Sequence, residues 1–261
     1  MNLKCLVSIT AMLFLIGCSS EKQSNLSEES NMNPLADGAF LLSKVTITED
    51  GETTELLRDQ MKIYSKGRFM FAFDNESTGE MDVGAGNASW VNGVMVEEPL
   101  VNHDGPVSGL SFDISIEPTE TGFNQVLHGM KYDDGRVLET MVEEWNRAPG
   151  VVTPYDGLWR LEGRETDDPD LTDFSEIKMI GGGHFAWYHT WSDTVDHADF
   201  GYGEFIDHGE GSVTEVARVG SIEGFEGEWN INFTLIGSDM LQQTFINKTD
   251  STEVIQNYKR L

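Results

Sequence analysis

Apolar residues along this chain recur with a period of two. In Arg68-Phe-Met-Phe-Ala-Phe-Asp74, Phe69, Phe71 and Phe73 share one face, and Leu110-Ser-Phe-Asp-Ile-Ser-Ile116 and Trp229-Asn-Ile-Asn-Phe-Thr-Leu235 keep the same alternation. Successive side chains of a strand point to opposite faces, so this pattern predicts half-buried β-strands. Glu49-Asp-Gly51, Val91-Asn-Gly93, His103-Asp-Gly105 and Asp133-Asp-Gly135 punctuate the runs as turn signals. No window of helical length carries an amphipathic stripe. The pattern predicts about eight strands in the first half, near residues 39–47, 61–66, 68–74, 81–90, 93–98, 109–117, 123–131 and 137–146, with equivalents in the second half.

The two halves answer each other. Asp37-Gly-Ala-Phe-Leu-Leu42 matches Asp156-Gly-Leu-Trp-Arg-Leu161 at an offset of 119, and Lys62 to Phe71 matches Lys178 to Trp187 at 116. Gly84-Ala-Gly86 matches Gly201-Tyr-Gly203, Val96-Glu97 matches Thr214-Glu215, Gln125 matches Gln243, and Glu144-Trp-Asn-Arg147 matches Asn257-Tyr-Lys-Arg260. Order is kept while the offset drifts by a few residues, as loop insertions would produce. The chain therefore reads as two homologous domains, residues 35–148 and 155–261, joined by a linker at 149–154.

Eight short strands in about 110 residues suit an up-and-down antiparallel barrel or, as the alternative, a β-sandwich. Both repeats open on Asp-Gly-x-aromatic and close on aromatic-x-Arg, pairing Phe40 with Arg147 and Trp159 with Arg260. These motifs resemble the calycin (lipocalin-like) pattern, in which an aromatic ring on the first strand lies at the closed end beneath an Arg of the last strand. The likeness spans both repeats, with Phe40 departing from the usual Trp. It implies two tandem lipocalin-like barrels with those four residues as structural closures. An Arg over an aromatic face gains about 0.5–2 kcal/mol.

The N-terminus is of another kind. After Lys4 a mostly apolar run from Cys5 to Gly17 is too short for a span, which takes about 20 residues, and fits a secretory signal over 1–17. It ends in Leu15-Ile16-Gly17-Cys18, which resembles the lipobox of bacterial lipoproteins, with Cys18 taking the lipid (palmitate among its acyl chains). Residues 18–34 then read as a flexible tether rich in Ser, Glu and Asn. The expected address is the bacterial cell envelope, held to the membrane by the lipid. Ser19 after the lipidated Cys lacks an acidic retention signal, which favours the outer membrane. Cys5 and Cys18 are the only cysteines, so the remaining chain has no disulfide and no thiolate chemistry.

Charge narrows the partners. With 17 Lys and Arg against 45 Asp and Glu, the net charge is −28. Such a chain repels phosphate backbones, which argues against nucleic acid. A basic protein partner is compatible with it.

Candidate chemistry is sparse. His184, His189, His197 and His208 crowd the second domain, but His184 and His189 are an odd number apart and face opposite sides of one strand, so no metal is expected. No cofactor and no nucleophile signature is read either. His189 aligns with Phe73 on the Phe185, Trp187 and Trp191 face. If that face points inward, the second barrel holds a polar group where the first holds a phenyl. Glu97 and Glu215 recur at equivalent positions; in so acidic a chain they read as solvated strand positions, and inside a barrel each would pair with an Arg or contact a ligand. The favoured reading is a small apolar or amphipathic ligand held by Trp187, His189, Trp191, Glu215, Trp229 and Gln243. The alternatives are a non-enzymatic interaction protein with filled barrels, and a barrel-based isomerase, cyclase or hydrolase using His189 and a carboxylate.

Overall fold

The computed structural model describes residues 37–75, 80–131, 137–165, 174–191 and 194–261, and every regular element among them is a β-strand. The first half contains β1 (Gly38–Glu49), β2 (Glu52–Leu56), β3 (Gln60–Ser65), β4 (Arg68–Asn75), β5 (Glu80–Val91), β6 (Val94–Asn102), β7 (Gly105–Pro106), β8 (Phe112–Pro118), β9 (Gly122–Lys131) and β10 (Val137–Arg147). The second contains β11 (Gly157–Glu165), β12 (Phe174–Gly181), β13 (His184–Trp191), β14 (Thr194–Gly209), β15 (Ser212–Gly220), β16 (Gly227–Ile236), β17 (Met240–Ile246) and β18 (Glu253–Arg260). The signal, the tether and the lipidation site Cys18 lie outside the described residues, as does the Asp133-Asp-Gly135 turn.

Each half is a closed antiparallel barrel, so the sandwich alternative is set aside. In the second, β11 to β18 run in chain order and β18 returns to pair with β11. In the first, β2 and β3 act as one broken strand beside β1: Val45 to Glu49 pairs with Leu56 to Glu52, while Gly38 to Leu41 pairs with Tyr64 to Met61. The ring continues through β4, β5, β6, β8, β9 and β10, which pairs back on β1. β2 escaped sequence detection because all five of its residues are exposed and carry no alternation.

The closing pairs sit in register, Phe40 opposite Arg147 and Trp159 opposite Arg260. Arg147 lies 4.5 Å from the Phe40 ring centroid and Arg260 3.9 Å from that of Trp159. Each guanidinium also donates to the carbonyl of the Asp that begins the repeat, Asp37 or Asp156. This architecture is consistent with a calycin-like fold.

The outer faces explain why β3 is buried along its whole length. One of its faces points into the lumen and the other against the second barrel. The shared core takes the same positions from each repeat: Ala39 and Leu158, Ile63 and Met179, Met70 and Ala186, Ala72 and Tyr188, Val83 and Phe200, Ala85 and Tyr202. The offsets equal those of the sequence repeat, so the barrels meet through equivalent faces in a pseudo-two-fold arrangement. At Ala39, Ala72 and Ala85 the second barrel carries the larger Leu158, Tyr188 and Tyr202, and at Met70 the smaller Ala186. Tyr188 also donates to the His103 carbonyl (2.9 Å) and Tyr202 to Asp59 (2.8 Å), so the buried hydroxyls are satisfied.

Candidate ligand-binding site

The odd positions of β13 point inward, and with them His189. At mid-depth each barrel holds a girdle of buried polar side chains built from aligned residues. Lys62 lies 2.7 Å from Glu97 and donates to Gln125 (2.9 Å); Lys178 lies 2.6 Å from Glu215 and donates to Gln243 (2.8 Å). All six are at most 5% exposed. The expected Arg partner of the two glutamates is thus corrected: the cation is a Lys from the second long strand of each ring. A buried carboxylate must find a charge partner, and the strand pairing leaves these lysines facing it.

The barrels then diverge. In the first, Trp145, Phe71 and Phe73 fill the lumen, Arg58 lies 4.5 Å from the Phe73 ring, and Arg58 meets Glu143 at 3.7 Å. A space of about 30 Å³ bordered by Asp37, Tyr64, Arg68 and Met95 is large enough for a water molecule and no more than a few.

In the second barrel a cavity of about 420 Å³ opens at the end opposite Trp159 and Arg260. That is within the ordinary range for small-molecule sites, about 300–1,000 Å³. Trp187 stacks on His189 (centroids 4.1 Å apart) and meets Phe225 edge to face at 4.8 Å; Trp229 does the same with Phe245 at 6.0 Å. Gly201 is needed here, because a Cβ at that position would fall 2.6 Å from both the Trp187 and Phe225 rings. Phe225 arrives on the β15–β16 connection, which is tied down by Ser221 donating to Asp199 (2.9 Å) and by the Trp229 indole donating to the Phe225 carbonyl (2.7 Å).

One acid–imidazole contact in this lumen has no counterpart at the aligned positions of the first barrel. Glu176, opposite His189 in register, lies 2.8 Å from its Nε2 and also accepts from Tyr258 (2.8 Å) and Gln256 (3.3 Å). Burial pushes the Glu176 carboxyl up, but His189, Lys178 and the Tyr258 hydroxyl outweigh it and hold it at about 2. Ionised Glu176 only accepts, so the His189 Nε2 carries the proton. The aligned pair in the first barrel is Gln60 opposite Phe73. Burial also raises the Glu215 carboxyl, against the pull of Lys178.

Of the residues singled out from sequence, Trp187, His189, Glu215, Trp229 and Gln243 line this cavity together. The side chain of Trp191 lies outside the described residues. His184 faces away from the lumen and contacts the Gly182 carbonyl (3.0 Å). Sequence reasoning missed Glu176, Lys178, Gln256 and Phe225, although Lys178 was visible as the repeat partner of Lys62. No protein-family model matches the chain, and no curated protein matches it.

Proposed function

We propose that this is a lipid-anchored protein of the bacterial cell envelope whose second barrel binds one small apolar or amphipathic molecule, the first barrel serving as a filled structural partner. The observation that carries this reading is the difference between the two lumens. Aromatic side chains occupy the aligned positions in one, and the other leaves about 420 Å³, bordered by Trp and Phe rings above a polar girdle. Aromatics supply contact area and the polar groups orientation. Native mass spectrometry of the protein purified from its own host tests it, with one bound molecule expected. A Trp229→Ala variant is expected to weaken binding of that molecule about tenfold or more, read by fluorescence of the remaining cavity tryptophan. Failure to recover or bind any small molecule overturns the reading.

The anchor is proposed from Leu15-Ile16-Gly17-Cys18 and the outer membrane from Ser19. Cys18→Ser is expected to abolish labelling by radioactive palmitate and to move the protein out of the membrane fraction. Retention of label on the variant counts against it.

The contact between Glu176 and His189 favours a second reading, a barrel-based isomerase, cyclase or hydrolase in which the carboxylate orients the imidazole for proton transfer. A His189→Gln variant that binds the recovered molecule normally but no longer converts it would support the enzyme. Unchanged binding with no conversion by either protein supports simple carriage.

A further inference from the structure

The two lumens differ at one hydrogen-bond donor, and that difference bears on what the cavity holds. In the first barrel Glu97 is paired with Lys62 and accepts a hydrogen bond from Tyr64. The residue aligned with Tyr64 is Ile180, so Glu215 has its lysine but no hydroxyl. Its Oε1 is buried 2.6 Å from Lys178 Nζ, which is the donor it has among the described residues, where Glu97 has the Tyr64 hydroxyl beside its lysine. Buried carboxylates ordinarily have such donors. The other hydrogen bonds of the girdle run away from Glu215: Lys178 donates to Gln243, Gln243 to Gln256 (3.0 Å), and Gln256 to Glu176.

Charge points the same way. The cavity wall carries Arg164 and Lys178 against Glu176, Asp199, Glu215 and Glu223, and the carboxylates remain in excess even with His189 protonated. The aromatic rings at the mouth are good surfaces for a cation. Trp229 already has one, the exposed Lys248 ammonium at 4.1 Å, which is outside the cavity wall. The chain as a whole, at −28, draws cations toward it and repels anions.

We propose that the polar end of the ligand is an amine carried as its ammonium ion, supplying Glu215 with the donor that Tyr64 gives Glu97, so that the second barrel selects cationic amphiphiles over fatty acids and alcohols of equal length. This rests on the cavity being a ligand site. Calorimetric titration of the full-length protein with octylamine, octanol and octanoate at neutral pH tests it. Octylamine is expected to bind at least tenfold more tightly than octanol, and octanoate more weakly than either. Glu215→Gln is expected to erase most of the amine preference. Because that change strips Lys178 of its counter-ion, Glu223→Gln in the exposed connection serves as the second variant, expected to weaken octylamine about threefold relative to octanol. Octanoate binding as tightly as octylamine overturns the ammonium assignment while leaving the cavity a ligand site. Binding by none of the three removes the site itself.

Discussion

Replacing Lys178 with methionine is expected to cost about 3–5 kcal/mol of folding stability, measured by chemical denaturation. The substitution keeps the length and apolar stem of the side chain and deletes its charge. Glu215 is then left buried without its cation, and Gln243 loses a donor. The loss is expected to depend on pH in a defined direction. Burial holds the Glu215 carboxyl above its ordinary value, so the folded state binds a proton more readily than the unfolded one. Stability of the variant therefore falls as pH rises through the folded value, and recovers on acidification. Glu176 behaves oppositely: at about 2 in the folded protein, it contributes fully above the ordinary carboxyl value of 4.5, and its contribution is lost as pH falls from there toward 2. A double change, Lys178→Met with Glu215→Leu, is expected to recover most of the stability, since two apolar groups need no pairing. Lys44 makes the control. Its contacts with Glu144 and Glu55 are at the surface, where water screens them, and Lys44→Met is expected to change stability little. A Lys178→Met protein as stable as the parent would mean that the girdle pair contributes nothing.

The same girdle marks where sequence reading reached its limit. Alternation in Arg68 to Asp74 exposes the lumen-facing row because its opposite face is smaller and mixed. β3 and β12 give no such contrast, since Ile63 and Met179 are as buried against the neighbouring barrel as Lys62 and Lys178 are in the lumen. A lysine in a strand reads as solvent-facing until something shows that both faces are covered. The repeat held that clue, because Lys62, Glu97 and Gln125 all recur while most of the charges between them do not. The two-fold relation between the barrels was hidden for a different reason. Interfaces conserve fit rather than identity, and here Ala72 and Ala85 have become Tyr188 and Tyr202 on the facing barrel. Phe225 lies in an irregular connection with no period to reveal it, and its role follows only from the ring it meets. What the motifs did carry was the closed end, where covalent geometry leaves few alternatives to Gly-x-aromatic under an Arg.

That closed end sets the second large effect: Gly157→Ala is expected to destabilise the protein by about 2–5 kcal/mol, through strained backbone and loss of the cap together. Gly157 has φ +146°, a conformation that side-chain-bearing residues rarely adopt. A Cβ there would fall 2.2 Å from the Arg260 Nη1, the group that bonds the Asp156 carbonyl. Arg260 can swing aside only by leaving the Trp159 ring at 3.9 Å and its bond to the Ser238 carbonyl at 2.9 Å. Asp156 amplifies the damage, because its carboxylate accepts from Thr153 in the linker and from the Gly182 backbone in the β12–β13 turn, while its carbonyl also accepts from Lys66 of the first barrel. Loosening the cap thus loosens the joint between barrels. Trp159→Phe separates the causes: it reproduces the Phe40 cap of the first barrel, keeps the backbone and the guanidinium, and is expected to cost much less than Gly157→Ala. If the two variants were equally destabilised, the indole itself would be the essential part, and the glycine merely its neighbour.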